Sequence, residues 1–224
     1  MIQALFSTLS EILEPQLRRA FLLSLGAASA VFAGLWLGLG WGLAHARAFD
    51  YWLLNDASAV LGGVAVLFFT WLLFPSVMTL ILSFFVEEVL TAVEQRRYPT
   101  LPAPRVATIG ELLGSSLRLT IFAILLNLAA LPVYLFVPGI NLMVFYGVNG
   151  YLLGAEYFDM IAMRRLGDAE RQRFRREWRW RILAAGALIA LLFSLPVANL
   201  LAPIVGAVFM LHLFERMRGS VSIG

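Results

Sequence analysis

Residues 119–155 read LTIFAILLNLAALPVYLFVPGINLMVFYGVNGYLLGA and carry no charged side chain over thirty-seven positions. A helix of about 20 apolar residues crosses the ~30 Å hydrocarbon core of a bilayer. Pro132 and the pair Pro138 and Gly139 divide this run into pieces of about 13 and 16 residues, each short for a full crossing. Two short helices joined by a turn at membrane depth are typical of a re-entrant hairpin, whose turn must be shielded by protein or by a wet cavity.

A second broken run has the same form. Residues 182–214 are uncharged and are interrupted near the middle by two prolines and an asparagine. Leu-Pro-Val precedes the turn in both runs, at 131–133 and at 195–197, which makes a weak internal repeat. We therefore predict two hairpins, over 119–159 and 182–216, and keep open the alternative of a plain bundle of six spans made from short helices.

Two longer apolar runs precede the hairpins. The first is uncharged over twenty-five positions and places a transmembrane helix at 15–45. The next is uncharged over thirty positions and leads directly into charged residues, so we predict a long second helix over 57–97 with a kink at Pro75. A proline-rich segment ends that helix and opens a cytoplasmic loop over 98–118.

Small residues recur every four positions along the first span, at Gly26, Ala30, Gly34, Gly38 and Gly42. They form one stripe on which the backbone of another helix can approach closely. We expect this stripe to be a helix-packing surface, and its alternative role is the wall of a pore.

The composition agrees with a membrane protein. Of the 224 residues, 61% are hydrophobic and 14% are charged, against about 25% charged in an ordinary soluble domain. The chain has no cysteine and two histidines far apart, so we predict no thiolate chemistry, no metal site and no cofactor. It contains no nucleophile elbow and no phosphate-binding glycine loop, which argues against a soluble enzyme and against a nucleic-acid-binding domain.

The arginines indicate the orientation of the chain. All the basic charge comes from seventeen arginines, and sixteen of them share the face opposite residues 45–56, where only Arg47 lies. By the positive-inside rule that face is cytoplasmic. The sequence thus predicts an all-α integral membrane protein with two long transmembrane helices, two re-entrant or hemi-penetrating helical hairpins and an N-terminal amphipathic helix.

Two segments are predicted to lie along the headgroups as interfacial helices. In residues 1–14 the apolar side chains of the helix fall on one face; they are Leu5, Leu9, Ile12 and Leu13. Residues 164–181 are rich in arginine, and Asp168 is placed to cap a helix there. The apolar side of that helix carries Phe174, Trp178 and Ile182.

The best candidate for a ligand site is the start of the first span. Pro15 suits the first turn of a helix, which leaves the backbone N–H groups of Gln16, Leu17 and Arg18 without intrahelical acceptors. These groups, the positive end of the helix dipole and the guanidinium forks of Arg18 and Arg19 together suit a tetrahedral oxyanion. The alternative is that the two arginines only anchor a span at the cytoplasmic surface.

A second candidate set consists of polar groups within or beside the apolar runs. Polar side chains at membrane depth are costly unless they are paired or hydrated, so they either cross-link helices or line an ion path. Glu87 and Glu88, at the end of the second span, are placed to pair with Arg118. The set comprises Glu87, Glu88, Arg118, Asn127, Asn141, Asn149, Glu156 and Asn199, with Asp159 beside Glu156.

Four parts of the chain resemble the bacterial CysZ sulfate permease family, in an order and spacing that span nearly the whole length. Gln16 stands where some members of that family have glycine. The resembling segments are EPQLRR at 14–19, FFVEEVL at 84–90 with VEQR at 93–96, NGYLLGAEYFD at 149–159, and LPVANLLAP at 195–203.

The resemblance implies two full spans with two hemi-penetrating hairpins, a homo-oligomer, and uptake of sulfate across the bacterial inner membrane for cysteine biosynthesis. It also implies that Arg18 and Arg19 contact sulfate together with backbone amides. We therefore expect a multi-pass sulfate permease or channel whose partners are sulfate, membrane lipid and further copies of the chain. The alternatives are a permease for a related oxyanion, such as sulfite or thiosulfate, and a non-transporting membrane scaffold or assembly protein.

Overall fold

The computed structural model describes residues 4, 7–8, 15–45, 52–195 and 198–221, and these fold into helices joined by short turns. No strand occurs in those ranges, so the all-α prediction is confirmed. Short 3₁₀ turns occupy Pro138–Ile140 and Ala198–Leu200. The α-helices are α1 (Pro15–His45), α2 (Trp52–Ser83), α3 (Val86–Arg97), α4 (Ile109–Phe136), α5 (Asn141–Ala162), α6 (Asp168–Glu177), α7 (Arg179–Ser194) and α8 (Ala202–Val221).

Helix α4 begins inside the segment predicted as a loop. The Thr108 hydroxyl accepts a hydrogen bond from the Glu111 N–H at 3.3 Å, and the Glu111 carboxylate accepts one from the Thr108 N–H at 3.0 Å. This reciprocal cap starts the helix before the apolar run does. The helix then continues through Pro132 to Phe136, so the predicted break at Pro132 is wrong. A membrane helix can contain a proline when neighbouring groups satisfy the backbone carbonyl that the proline leaves without a donor. Here the helical hydrogen bonds resume after Pro132.

Helix α4 is, within the described part of the chain, the one helix that is both long and apolar enough to cross a membrane. Only 6% of its apolar window is buried inside the chain, unlike the core helix of a soluble protein. Its 28 residues also show that the first half of the broken run is not too short to cross, contrary to the expectation from residues 119–131. Shorter apolar stretches lie on α1 and α2, at Leu25–Gly38 and Val60–Phe74.

The segment predicted as one kinked helix over 57–97 consists of α2 and α3. Helix α2 is continuous through Pro75 and ends at Ser83. The interruption lies at Phe84 and Phe85, whose N–H groups donate to carbonyls three residues back at 3.2 and 3.0 Å and so tighten the last turn. Helix α3 therefore starts as a separate element that carries the charged residues.

Helices α5 and α7 approach each other closely along a seam of glycines. A Cβ atom on Gly186 of α7 would overlap the carbonyl oxygen of Gly150 and lie 2.6 Å from the Cα of Gly154. A Cβ on Gly154 would lie 2.5 Å from the carbonyl oxygen of Ile182. Only hydrogen fits at these positions, so the glycines set the distance between the two hairpins.

The predicted stripe on α1 makes no such contact. A Cβ on Gly26, Gly34 or Gly38 would meet no atom within 4 Å. The face of α1 that packs against α2 instead carries Ala28 and Phe32, which are buried. These three glycines therefore contact no other helix of the described chain, and a role of the stripe as a packing surface stays a prediction.

Helix α8 forms the centre of the hydrophobic core. Phe214 is fully buried, and its ring lies 6.0 Å from that of Phe158 and 5.3 Å from that of Phe174. Ile182 is buried and Trp178 packs against the same core, which confirms the predicted apolar side of the arginine-rich segment. A helix this enclosed by protein meets lipid over little of its surface.

Helix α6 is capped differently from the prediction. Gly167 occupies the N-cap position, and the Glu170 carboxylate accepts its N–H at 3.3 Å. Asp168 is the first helical residue, and its carboxylate accepts hydrogen bonds from Arg171 and Gln172 at 2.6 and 2.9 Å. Asp168 is not the cap because the preceding glycine already supplies the extended backbone that this position needs.

The predicted interfacial helix over 1–14, with its apolar face of Leu5, Leu9, Ile12 and Leu13, lies outside the described residues apart from Ala4, Ser7 and Thr8. These three are helical. Ala4 is buried in the core, and the Thr8 hydroxyl donates to its carbonyl oxygen at 2.9 Å. Arg216 of α8 donates to the Ser7 hydroxyl at 3.5 Å, so Ser7 lies against α8.

Candidate functional site

The predicted anion site lies at the first turn of α1. The helix begins at Pro15, and the backbone N–H groups of Gln16 and Leu17 belong to the turn that lacks intrahelical acceptors. Arg18 and Arg19 are both exposed there, and neither forms an ion pair with a described side chain. This end of the helix therefore presents two free guanidinium groups together with the positive end of the helix dipole.

A separate cluster of buried charges lies where the turn after α5 enters the space between α3 and α8. The Arg164 guanidinium donates to both carboxylate oxygens of Glu94, from Nε at 3.1 Å and from Nη2 at 2.8 Å. It also pairs with Glu87 through Nη1. Arg165 reaches the same Glu94 carboxylate at 3.0 Å and lies 3.9 Å from Glu215. Arg164 thus makes a forked ion pair with Glu94 of α3, and Arg165 connects the same carboxylate to Glu215 of α8.

Burial shifts the pKa values of two groups in this cluster. The side chains of Arg164 and Glu94 are each 6% exposed. Loss of hydration raises the pKa of the Glu94 carboxyl above its ordinary value, although Arg165 acts in the opposite direction. Loss of hydration also lowers the pKa of the Arg164 guanidinium, with the neighbouring Arg165 adding to the effect. Each charge is therefore held by its partner and not by water.

Asp159 links its own helix to two others. It accepts from the Ser115 hydroxyl of α4 at 3.1 Å and pairs with Arg171 and Arg175 of α6 at 3.3 and 3.4 Å. Asp159 itself lies on α5. The carboxylate therefore holds the arginine-rich helix α6 against the first hairpin.

The acidic residues of the predicted conduit are distributed over the cluster and the surface. Glu87 pairs with Arg164 and not with Arg118, which is exposed on α4. Glu88 is exposed on α3, and Glu156 is exposed on α5. Sequence spacing had placed Glu87 beside the wrong arginine because the true partner is far away along the chain.

The asparagines of the predicted conduit bond mainly to backbone. Asn127 and Asn149 donate to carbonyl oxygens of their own helices, four residues back, at 2.9 Å in each case. Asn141 donates to the Tyr134 carbonyl at 3.2 Å and so closes the tip of the first hairpin. These three therefore stabilise local backbone within the described chain and do not link separate helices, except across that tip.

Asn199 lies in a different setting, on the wall of a cavity of about 780 Å³ between α1, α2 and the second hairpin. Trp36 and Thr70 line it from the first two helices, and the indole N–H of Trp36 donates to the Thr70 hydroxyl at 2.8 Å. Ser194 adds another polar group. The cavity is thus mainly apolar, with a few hydrogen-bonding groups on its wall.

Sequence reasoning did not identify Glu94, Arg164, Arg165 and Glu215 as a cluster. Glu94 belongs to α3 and the two arginines to the turn after α5, so no local spacing connects them. A weak signal was present, because Arg164 and Arg165 directly follow four apolar residues, 160–163, with no polar residue between.

The exposed apolar surface of α4, a helix long enough to cross a bilayer, indicates a helical membrane protein. Residues 4–203 match the family described as Sulfate transporter CysZ/Etoposide-induced protein 2.4, and the chain belongs to that family. The resemblance drawn from the sequence is thereby confirmed, and the family is one of transporters. Comparison with curated proteins finds no match to the chain.

Proposed function

We propose that this protein is a permease or channel that passes sulfate across a bacterial inner membrane into the cytoplasm, where it serves sulfur assimilation and cysteine biosynthesis. The observation that carries the proposal is the family match over residues 4–203. It is supported by the free Arg18 and Arg19 at the start of α1, where a doubly charged tetrahedral anion finds guanidinium forks and backbone N–H groups.

The proposed route runs along α1. Arg18 and Trp36 are 18 residues apart on this helix, which corresponds to about 27 Å and so to nearly the thickness of the hydrocarbon core. The cavity beside Asn199 would then admit the anion from the outer side, and the arginine pair would receive it at the cytoplasmic end. Neighbouring copies of the chain, in a homo-oligomer, would cover part of this path.

Sulfate binding tests the arginine site. Replacing both Arg18 and Arg19 by alanine removes two charge-assisted contacts, each worth about 1.5–3 kcal/mol, so affinity should fall by about a hundredfold or more. Calorimetry in detergent measures binding, and radiolabelled sulfate uptake into proteoliposomes measures transport. The matched control removes two adjacent exposed arginines elsewhere, Arg96 and Arg97 on α3.

Two outcomes contradict the proposal in different ways. Unchanged sulfate binding by the double-alanine variant removes the site assignment while leaving transport possible by another route. Wild-type uptake no greater than in empty vesicles favours a non-transporting scaffold, for which the arginine-rich α6 would be the contact surface. Parallel assays with sulfite and thiosulfate show whether a related oxyanion is preferred.

The proposed membrane arrangement has two spans, α1 and α2, with α4–α5 and α7–α8 as hairpins that enter from the cytoplasmic side. Helix α4 is long and apolar enough to cross completely, so the first hairpin is the part of this arrangement that needs a direct test. Helix α7 has 16 residues, or about 24 Å, which is less than the ~30 Å of hydrocarbon. Helix α8 is enclosed by protein and so needs no lipid contact.

Cysteine labelling tests the first hairpin, because the chain has no native cysteine. A Gly139→Cys variant at the tip should not react with a membrane-impermeant maleimide applied from either side, since a hemi-penetrating tip remains within the bilayer. A Thr100→Cys control in the loop after α3 should react from the cytoplasmic side alone. Labelling of Gly139→Cys from the outer side would show that α4 and α5 cross completely.

A further inference from the structure

A small cavity of about 250 Å³ opens between α5, α6 and α7. Its lining includes Tyr151, Ile182 and Leu183, which we call the floor. It also includes three arginines, Arg175, Arg176 and Arg179, which we call the rim. A cavity that joins an apolar floor to a cationic rim suits an amphiphile whose polar end is negatively charged.

The charge of the rim is only partly neutralised. Arg175 pairs with Asp159 at 3.4 Å. Arg176 and Arg179 are exposed, and neither forms an ion pair with any side chain in the described ranges. The Arg179 guanidinium instead packs over the ring of Trp180, 5.2 Å from its centroid. Two positive charges therefore remain without an anionic partner among the residues that the structure describes.

The floor of the cavity is continuous with the surface that faces lipid. Tyr151 is 40% exposed, and its ring lies 5.1 Å from that of Phe122 on α4, the helix whose apolar surface lies outside the core. Trp180, beside the rim, is 69% exposed. Exposed tryptophan is favoured at the level of the headgroups, which agrees with a rim near the lipid phosphates.

We propose that this cavity is a binding site for one anionic phospholipid. The forks of Arg176 and Arg179 hold the phosphodiester, because guanidinium matches the geometry of two phosphate oxygens. An acyl chain then lies over Leu183 and Tyr151 toward the surface of α4. A soluble phosphate would leave the apolar floor uncovered, and a zwitterionic lipid would bring a second positive charge to a rim that is already cationic. The site is independent of whether the protein conducts sulfate.

Native mass spectrometry of the full chain in detergent tests the site by titration with dioleoyl phosphatidylglycerol, with dioleoyl phosphatidylcholine and with inorganic phosphate. The wild type should bind phosphatidylglycerol in preference to phosphatidylcholine, and inorganic phosphate should not displace it. The Arg176→Gln, Arg179→Gln double variant should bind phosphatidylglycerol about tenfold more weakly, with phosphatidylcholine unaffected.

A matched control distinguishes a specific lipid site from a general attraction between arginines and anionic lipid. Arg173→Gln removes one exposed arginine from the same helix α6 without touching the cavity, and it should leave binding unchanged, whereas Arg176→Gln alone should weaken it. A Leu183→Gln variant tests the floor and should also weaken the phosphatidylglycerol adduct. Equal binding of the two lipids, equal effects of Arg173→Gln and Arg176→Gln, or displacement by inorganic phosphate would each overturn the proposal.

Discussion

Replacing Gly186 by alanine is expected to destabilise the folded protein by about 2–3 kcal/mol, because an overpacked contact forces the backbone to move. The new methyl group would overlap the carbonyl oxygen of Gly150 and crowd the Cα of Gly154, and both of these are backbone atoms. A flexible side chain could rotate away, but here α5 and α7 must separate. Since this seam joins the two hairpins, the displacement would extend into the core around Phe158.

The change can be followed by thermal unfolding in detergent with the intrinsic fluorescence of the six tryptophans. For a chain of this size the Tm should fall by about 5–10 °C. Gly147→Ala on α5 and Gly34→Ala on α1 are matched controls, because a Cβ at either position meets nothing within 4 Å. Both controls should leave Tm unchanged or raise it slightly, since alanine is the better helix former. A fall of the same size in the controls would show that the effect is not due to the seam.

The glycines illustrate what the sequence could and could not predict about packing. A spacing of four along one helix is visible in the stripe of α1, yet Gly34 and Gly38 face open space. The contact that does need glycine is divided between two helices, with Gly150 and Gly154 on one and Gly186 on the other. Small side chains allow a close approach but do not specify the partner, which depends on the tertiary arrangement.

The ends of helices were harder to predict than their existence. The apolar run beginning at residue 119 marks where α4 meets lipid, but the helix starts at Ile109 because the cap formed by Thr108 and Glu111 is a local hydrogen-bonding signal. Pro132 remains inside the helix, whereas the turn at Pro138–Ile140 does end it. Proline limits a helix by removing one donor, and its surroundings decide whether that loss ends the helix.

The candidate site also has one part that the sequence could predict and one part that it could not. The exposed Arg18 and Arg19 at a helix start follow from adjacent residues, so local reasoning could place them. The pairing of Arg164 with Glu94 joins side chains 70 residues apart, and no periodicity links them. Long-range ion pairs depend on how the helices are arranged, which one sequence does not reveal.

Replacing Arg164 by methionine is expected to destabilise the protein by about 3 kcal/mol at neutral pH, because it leaves the Glu94 carboxylate buried with less compensation. The forked pair at 3.1 and 2.8 Å would be lost, and Arg165 at 3.0 Å would remain the nearest cation. Tryptophan fluorescence during heating measures the fall in Tm. An Arg105→Met control removes an exposed pair with Glu111, which should contribute no more than about 1 kcal/mol.

The stability lost in the Arg164→Met variant should depend on pH, and the direction follows from the pKa of Glu94. Burial already raises the pKa of Glu94 above its ordinary value of 4.5, so the folded state binds this proton more tightly than the unfolded state does. The carboxyl therefore favours folding at low pH, and that contribution is lost as pH rises through the raised pKa. Removing Arg164 raises the pKa further. The difference in Tm between variant and wild type should accordingly be largest near pH 8 and should shrink as the pH falls toward 4.5.

A double variant distinguishes an unpaired charge from lost packing. If the deficit of Arg164→Met arises from the buried carboxylate, then adding Glu94→Met should recover part of the lost stability, because two apolar side chains can replace a buried ion pair at little cost. Arg165 retains Glu215 as a partner in that background, at 3.9 Å. A double variant less stable than Arg164→Met, or a deficit that is constant between pH 5 and pH 8, would show that the cluster does not depend on the charge of Glu94.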